Sequence, residues 1–532
     1  MCFHKNIEKS KFFIAGAAKS GLSVAKLLKN YGANVFITEE KKLSQELIEE
    51  LNYLKIPFED KGHSLEKITN ECDVMVLSPG IPLNTQIPML CMKKSLILVS
   101  EIEVASWFLK PNNLILAITG TNGKSTTVNY LNQLINLSEY NSIACGNIGT
   151  PFSHVVSQNN KEEIFVLELS SYQLELTFSI QPKCSAILNI QNDHLGRYET
   201  IEEYLKAKWR IVLLTDPEGL VILDYDVLKI ALKIGLILPK CKIIVTKFSH
   251  QLQKNKKTNN FQEKYRSFQN KLSNYKYLPN PIYKEIEILE IEELPISKFL
   301  NFAYVTYNED DTITVSLQSD DLIKKIEINK ACIPGMHNVM NILTASLIAQ
   351  HLGIHDDLIT SQWNESTSQY VHLPHRLEKI GKDYCTFINE LSQDKNLLII
   401  NDSKATNVES TLVALNSFKR PIRLLLGGKP KGDSYKPILE FFNRNLIKVY
   451  PFGEASEIIF NELKSKKNYL AKPSSNMISA ATLALNEAHN NEIILLSPAC
   501  SSFDEFRDFE HRGNVFREWA LSHLKENKSE SF

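Results

Sequence analysis

The stretch from Ala117 to Leu131 reads AITGTNGKSTTVNYL. The apolar run NLILAI leads into it, Gly120 and Gly123 flank Thr121 and Asn122, and Lys124 opens a helix-like segment. A strand, a tight glycine turn and a helix start make a phosphate loop, because backbone N–H groups and the helix N-terminus then face the anion. The usual pattern also has a glycine six residues before the lysine, where this chain has Ile118. A shorter, differently entered loop is therefore expected. In it Lys124 reaches the β- and γ-phosphates of a nucleotide and Ser125 ligates Mg²⁺. Gly120, Thr121, Asn122, Gly123, Lys124, Ser125 and Thr126 are the nucleotide-binding candidates, with ATP the expected nucleotide.

Similar units lie on both sides. KFFIAGAAKSGLSVAKLLKNYGANVFITEE (11–40) reads strand, glycine turn, amphipathic helix, strand, which opens a parallel sheet. CDVMVLSPGIP is a strand ending in a Ser-Pro-Gly turn, and LKPNN near 110 is a linker. After the phosphate loop, EIFVLEL, CSAILNI and GLVILD read as further strands and GMHNVMNILTASLIAQHLG as a helix. The pattern restarts near 372, with NLLIIND, IRLLLGG, LIKVYPFG and EIILLSPA alternating with helical stretches. The division is 1–110, 111–372 and 373–532, an α/β chain of three domains. Residues 245–330 are rich in Lys, Asn and Gln and contain the alternating YVTYNEDDTITVSLQSDD; they read as a partly mobile peripheral elaboration with a β-hairpin.

A chain of 532 residues, 43% hydrophobic, is long enough for several cores. A formal net charge of -1 favours neither nucleic acid nor a membrane surface. The nine cysteines have no CxxC spacing, so reduced thiols are expected rather than disulfides or zinc. The N-terminus lacks a signal-peptide core and no apolar run is long enough to span a bilayer, so a cytoplasmic protein without membrane insertion is expected.

Several clusters carry candidate chemistry. Glu168 ends the strand EIFVLEL, where a nucleotide-bound Mg²⁺ finds a second protein ligand. His194 lies beyond another strand, and Lys208 follows on a helix that also contains Lys206. On the residues alone Lys208 is a surface lysine; a carbamylated lysine would instead be an oxygen ligand. The loop Gly16-Ala17-Ala18-Lys19-Ser20-Gly21 has the outline of a dinucleotide fingerprint with its middle glycine replaced by Ala18, and Glu39 could hold a ribose. NDSKATN (401–407), GGKPKGD (427–433) and SPACSSFDEFRDFEHRG (497–513) each follow a strand, where open α/β sheets bind ligands.

GTNGKST, GNIGTP, ELSSYQLE, NDHLGRY, KAKWRI, GMHNVMN, HRLE, NDSKATN, GGKPKG and the long SPAC motif together resemble the Mur ligase family across nearly the whole chain outside 245–330. The resemblance implies a Rossmann-like N-terminal domain holding UDP, a central P-loop ATPase-like domain and a Rossmann-like C-terminal domain carrying an amino acid. It implies ATP-dependent joining of D-glutamate to UDP-N-acetylmuramoyl-L-alanine through an acyl phosphate, for peptidoglycan synthesis. It puts Ser20, Ser78, Pro79 and Gly80 near the uridine diphosphate and makes Asn147 a substrate contact. Lys124, His194 and Lys208 become catalytic. Two Mg²⁺ ions would be held, one by Ser125 and Glu168 and the other by His194 and carbamylated Lys208. Asn338, Asn341, His375, Arg376, Asp402 and Lys404 fall at ATP-facing positions. Thr406, Lys431, Ser502 and Phe509 match the D-glutamate pocket. A monomer is expected. Gly196 stands where the family has an acidic residue, and Thr38-Glu39 lies where an Asp often contacts uracil.

Three other readings compete. A folylpolyglutamate synthetase-like ligase lacks the N-terminal UDP domain, which the βαβ unit at 11–40 argues against. An NAD(P)-dependent oxidoreductase is opposed by Ala18 and the complete ATPase set, and a non-catalytic scaffold by Lys124, Glu168, His194, Lys208 and Lys404.

Overall fold

Short apolar runs that are buried along their whole length make the parallel strands expected of an α/β chain. The structure, a computed structural model, describes residues 7–158, 164–191, 197–249, 301–307, 312–319, 322–329, 336–365, 374–387 and 395–524. The first sheet holds β1 (Lys11–Ala15), β2 (Asn34–Thr38), β3 (Phe58–Glu59), β4 (Val74–Leu77) and β5 (Ile97–Ser100). All are parallel, in the order β3-β2-β1-β4-β5.

The second sheet holds β6 (Leu114–Thr119), β7 (Ser142–Gly146), β8 (Ile164–Glu168), β9 (Cys184–Ile187), β10 (Leu220–Asp224), β11 (Lys242–Ser249), β12 (Asn301–Tyr307), β13 (Thr312–Ser319) and β14 (Leu322–Asn329). Their order is β14-β13-β12-β11-β10-β9-β6-β8-β7. Pairing is parallel from β7 to β12 and antiparallel from β12 through β14. The expected hairpin is β12–β13. The stretch 301–329 is therefore part of the central sheet and not peripheral to it, because β12 pairs with β11 along six residues. The expectation of partial mobility covers 245–330, of which residues 250–300 lie outside the described residues.

The third sheet holds β15 (Glu378–Phe387), β16 (Lys395–Asn401), β17 (Ile422–Gly427), β18 (Leu446–Phe452) and β19 (Ile493–Leu496), ordered β15-β16-β19-β17-β18 with β15 antiparallel. The α/β class with three sheets is as the sequence predicts. Cys72, Cys91, Cys145, Cys184, Cys241 and Cys500 are buried free thiols.

The chain divides into two units, Met1–Cys332 with His337–Glu365 and Ile333–Met336 with Ser366–Phe532. The first two sheets share one unit. A seam joins them through α1 (Lys19–Asn30), α2 (Glu101–Ser106) and α4 (Phe152–Ser157), with α1 and α2 both packed on α4, while α3 (Lys124–Asn136) lies against β6, β7 and β8. Ser23 Oγ lies 2.7 Å from Ser153 Oγ, and Ser153 N donates to Glu101 Oε1 at 2.5 Å. Burial pushes the Glu101 carboxyl up. Glu103 accepts from the backbone N–H groups of Phe178 and Ser179 at 2.7 and 2.9 Å.

Candidate functional site

In the first unit, β6 ends at Thr119 and α3 begins at Lys124, so the phosphate loop occupies the switch between them. Gly123 caps α3 with φ 83°, a left-handed conformation that glycine adopts freely. A Cβ there would also meet Asn341 Oδ1 at 2.2 Å. That close approach brings the helix that carries Asn341 onto the loop. Ser125 and Thr126 are buried in the first turn of α3.

Lys124 Nζ folds back and donates to Gly120 O at 2.9 Å and Thr121 O at 2.7 Å. After α5 (Ser171–Glu175) comes α6 (Ile201–Leu214), which carries Lys208. Lys208 is 1% exposed, so the surface position read from its residue type is corrected. Tyr204, Leu205, Lys208, Ile211 and Val212 share the buried face of α6, leaving Lys206 exposed. Lys208 Nζ donates to Thr119 Oγ1 at 3.2 Å and Gly120 O at 3.0 Å, and lies 4.5 Å from the Tyr204 ring centroid. Two lysine nitrogens thus converge on one carbonyl oxygen. They lie within about 6 Å of each other, where like charges repel and an anion is favoured.

Glu168 ends β8 in register with Ile118 of β6. It is buried, and Asn147 Nδ2 donates to its Oε1 at 2.9 Å while Asn147 N donates to its carbonyl at 2.8 Å. α7 (Met336–His351) carries Asn338 and Asn341, both buried. His194 and Gly196 lie outside the described residues. Among the described residues no group of three His, Cys, Asp or Glu side chains could hold a metal ion alone. One carboxylate and one hydroxyl at a phosphate loop do suit Mg²⁺, which commonly keeps water and substrate phosphate as its remaining ligands.

Two loop-holding residues were not singled out in the sequence. Asn189 accepts from Asn122 N at 2.8 Å and donates to Asn122 O at 3.0 Å. Gln191 Oε1 accepts from Asn122 Nδ2 at 2.8 Å, and its N–H donates to Thr121 Oγ1 at 3.0 Å. The available signal was the amide-rich run just beyond β9.

In the first sheet, Ser78 Oγ donates to Gly16 O at 3.2 Å, joining the two loops beyond β1 and β4. Gly21 is required by close packing, since a Cβ would lie 1.9 Å from Gly16 O. Ser20 is half-buried in the first turn of α1 and Gly80 is exposed. Glu39 accepts from Ala17 N at 2.8 Å and Lys41 N at 3.1 Å, so its carboxylate serves the loop backbone where a ribose contact was considered.

The second unit gathers the other candidates beyond β16, β17 and β19. His375 has φ 65° and accepts, at Nδ1, from Asn401 Nδ2 at 3.0 Å. Burial, with Arg517 and Lys404 nearby, lowers its imidazole to about 4, so the ring is neutral at pH 7. The His375 backbone N–H donates to Glu378 Oε2 at 2.8 Å. Arg376 follows it in the turn before β15. Asp402 accepts from Ser497 Oγ at 2.8 Å and Leu377 N at 3.2 Å. Lys404 N donates to His375 O at 3.0 Å, and Lys404 Nζ lies 4.9 Å from the Phe509 ring centroid. Lys431 Nζ donates to Thr406 Oγ1 at 3.4 Å, and Ser502 is buried. Beyond α8 (Val408–Asn416) comes α9 (Phe509–Ser522), from which Arg512, which the sequence did not single out, ties these loops. Arg512 is fully buried and donates to Ser403 Oγ and O at 3.0 and 2.8 Å, and to Cys500 O and Ser501 O at 3.1 and 3.2 Å.

Burial raises the Asp402 carboxyl to about 7. Between about 4 and about 7 the folded chain therefore keeps a proton that the unfolded chain has lost, and this term makes stability fall as pH rises through that window. Asp402→Asn removes the titration. Its stability relative to the parent chain should rise by up to about 4 kcal/mol from pH 4 to pH 7.5 and level off above. Urea unfolding of the second unit's signal at several pH values checks this; a pH-independent difference would contradict the raised carboxyl.

Known proteins bear on this arrangement. Residues 118–289 match the Mur ligase middle domain and residues 11–87 the MurD N-terminal domain. The UDP-N-acetylmuramoylalanine--D-glutamate ligase of Caldicellulosiruptor bescii is 31% identical, with 97% of this chain and 98% of that protein covered. That of Salinibacter ruber is 31% identical over 96% and 97%, and that of Christiangramia forsetii 32% over 96% and 98%. Among solved structures, MurF of Acinetobacter baumannii aligns with a TM-score of 0.52 at 14% identity, covering 92% of this chain and 91% of that one. The UDP-N-acetylmuramate-alanine ligase MurC of Thermotoga maritima aligns at 0.51 and 15%, covering 96% and 99%. The structural likenesses speak to the fold, while the near-complete sequence overlap reaches further: the chain belongs to the Mur ligase family and is an enzyme of it.

Proposed function

We propose that this enzyme joins D-glutamate to UDP-N-acetylmuramoyl-L-alanine at the expense of ATP, supplying a peptidoglycan precursor in the cytoplasm. The observation that carries the reading is the convergence of Lys124 and Lys208 on Gly120 O beside buried Glu168, in a chain whose relatives bear that ligase name. In this reading residues 1–110 hold the UDP moiety through Ser20 and Ser78-Pro79-Gly80, 111–372 hold ATP, and 373–532 hold the amino acid.

The substrate carboxylate oxygen attacks the γ-phosphorus, the bond to the ADP oxygen breaks, and an acyl phosphate forms. The D-glutamate amine then attacks the acyl carbon, loses a proton, and inorganic phosphate leaves from a tetrahedral intermediate. Lys124 leaves its loop carbonyls to meet the phosphates, and the Gly120–Gly123 amides cradle them. Asn147 orients Glu168. Mg²⁺, held by Ser125 and Glu168 and, at a second position, by His194 and a carbamylated Lys208, would supply charge neutralisation. A carbamate on Lys208 also replaces one of two crowded positive charges by a negative one. Neutral His375, Asn338, Asn341, Arg376, Asp402 and Lys404 serve ATP. Lys431 pairs with a D-glutamate carboxylate beside Thr406, Ser502 and Phe509.

Phosphate release from ATP, measured with UDP-N-acetylmuramoyl-L-alanine and a panel of amino acids, tests the reading. Release is expected with D-glutamate alone. Release with an L-amino acid and none with D-glutamate would overturn it.

A further inference from the structure

Arg197 sits just past His194 in sequence, yet it reaches the turn that follows β4 of the first sheet. One arm of its guanidinium, Nη2, pairs with Glu175 Oε2 at the end of α5. The other carboxylate oxygen, Oε1, accepts from Tyr198 OH at 2.7 Å. The Tyr172 ring lies 4.1 Å from the guanidinium carbon. Held in this way, the second arm, Nη1, donates to Pro79 O at 3.1 Å and Ile81 O at 3.2 Å. Both partners of the ion pair are largely buried, at 9% and 12% exposure, so neither is a loosely solvated surface charge.

We propose that Arg197 is a positioning residue that fixes the Ser78–Ile81 turn against the phosphate-loop sheet and thereby sets affinity for the UDP-linked substrate. The inference rests on the reading that Ser78, Pro79 and Gly80 hold that substrate. A trans peptide points its N–H opposite to its C=O. Fixing Pro79 O on Arg197 therefore turns the Gly80 N–H away from the guanidinium, on an exposed residue, as a donor for an anion. The contact to Ile81 O fixes the next peptide plane but one, so the turn cannot swivel about a single anchor. A lysine could not make the same planar fork between Glu175 and two carbonyls.

The test uses the full chain and varies each substrate separately. For Arg197→Ala, KM for UDP-N-acetylmuramoyl-L-alanine should rise roughly ten- to a hundred-fold, with kcat and the KM values for ATP and D-glutamate within about three-fold. Millimolar guanidinium should lower the raised KM and leave the parent enzyme unchanged. Arg197→Lys should keep the raised KM despite its charge. Should Arg197→Ala not fold, Glu175→Gln, which weakens the anchor alone, should raise the same KM to a smaller extent. An unchanged KM, or a joint fall of all parameters without guanidinium rescue, would overturn the inference. Equilibrium binding of UDP-N-acetylmuramoyl-L-alanine to the parent chain separates the two failures. If the parent does not bind it, the substrate reading fails and takes Arg197's role with it. If parent and variant bind equally, only the role of Arg197 fails.

Discussion

Lys208→Ala should lower ligase turnover by roughly a thousand-fold, and a short carboxylic acid such as acetate or propionate should recover part of the loss. Lys208 lies on α6 among Tyr204, Leu205, Ile211 and Val212. Its Nζ is directed to Thr119 Oγ1 and Gly120 O, at the end of β6 where the phosphate loop begins. Truncation leaves a cavity in a dry setting and removes whatever group Nζ carries toward the phosphates. If that group is a carbamate, a free carboxylate entering the cavity restores an oxygen donor. If it is an ammonium, a carboxylate has the wrong charge and an alkylamine should rescue instead. Full activity without any added acid would remove Lys208 from the chemistry altogether.

A loss of similar or larger size is expected for Lys124→Ala, about a thousand-fold or more in kcat. Phosphoryl transfer asks the protein for little besides positioning and charge, so a lysine at the first turn of α3 carries a large share of the work. Its bonds to Gly120 O and Thr121 O hold it at the loop, from which it would turn to the phosphates. Lys124→Ala should therefore weaken ATP binding as well, whereas Lys208→Ala should act chiefly on turnover. Single-turnover ATP cleavage together with nucleotide binding separates the two; equal effects of both variants on ATP affinity would count against this division of labour.

The phosphate loop was legible in the sequence because its signals are local: an apolar strand, two glycines and a helix start within a dozen residues. Much of the third sheet was legible for the same reason, since β16, β17 and β19 each end in a polar cluster. Other strands were harder. β15 follows a stretch without a strand-like pattern and pairs antiparallel with β16, and β11 and β12 are neighbours in space but more than fifty residues apart in sequence. Lys208 shows a different failure. Reading it by residue type made it a surface lysine, although the spacing of Tyr204, Leu205, Lys208, Ile211 and Val212 already marked one face of a helix. Only the resemblance assigned it a role. Arg197 had no readable signal, because its meaning lies in carbonyls 116 and 118 residues away.

The seam between the first two sheets bears on how such a protein can be recombined. Ser23 and Glu101 from one side both close on Ser153 from the other. A chimera that joins one relative's first sheet to another's second would have to inherit matching partners on both faces, or strand a buried carboxyl. The first two sheets should therefore be exchanged between homologues as one block, and a crossover at the linker near 110 is a poor place to cut.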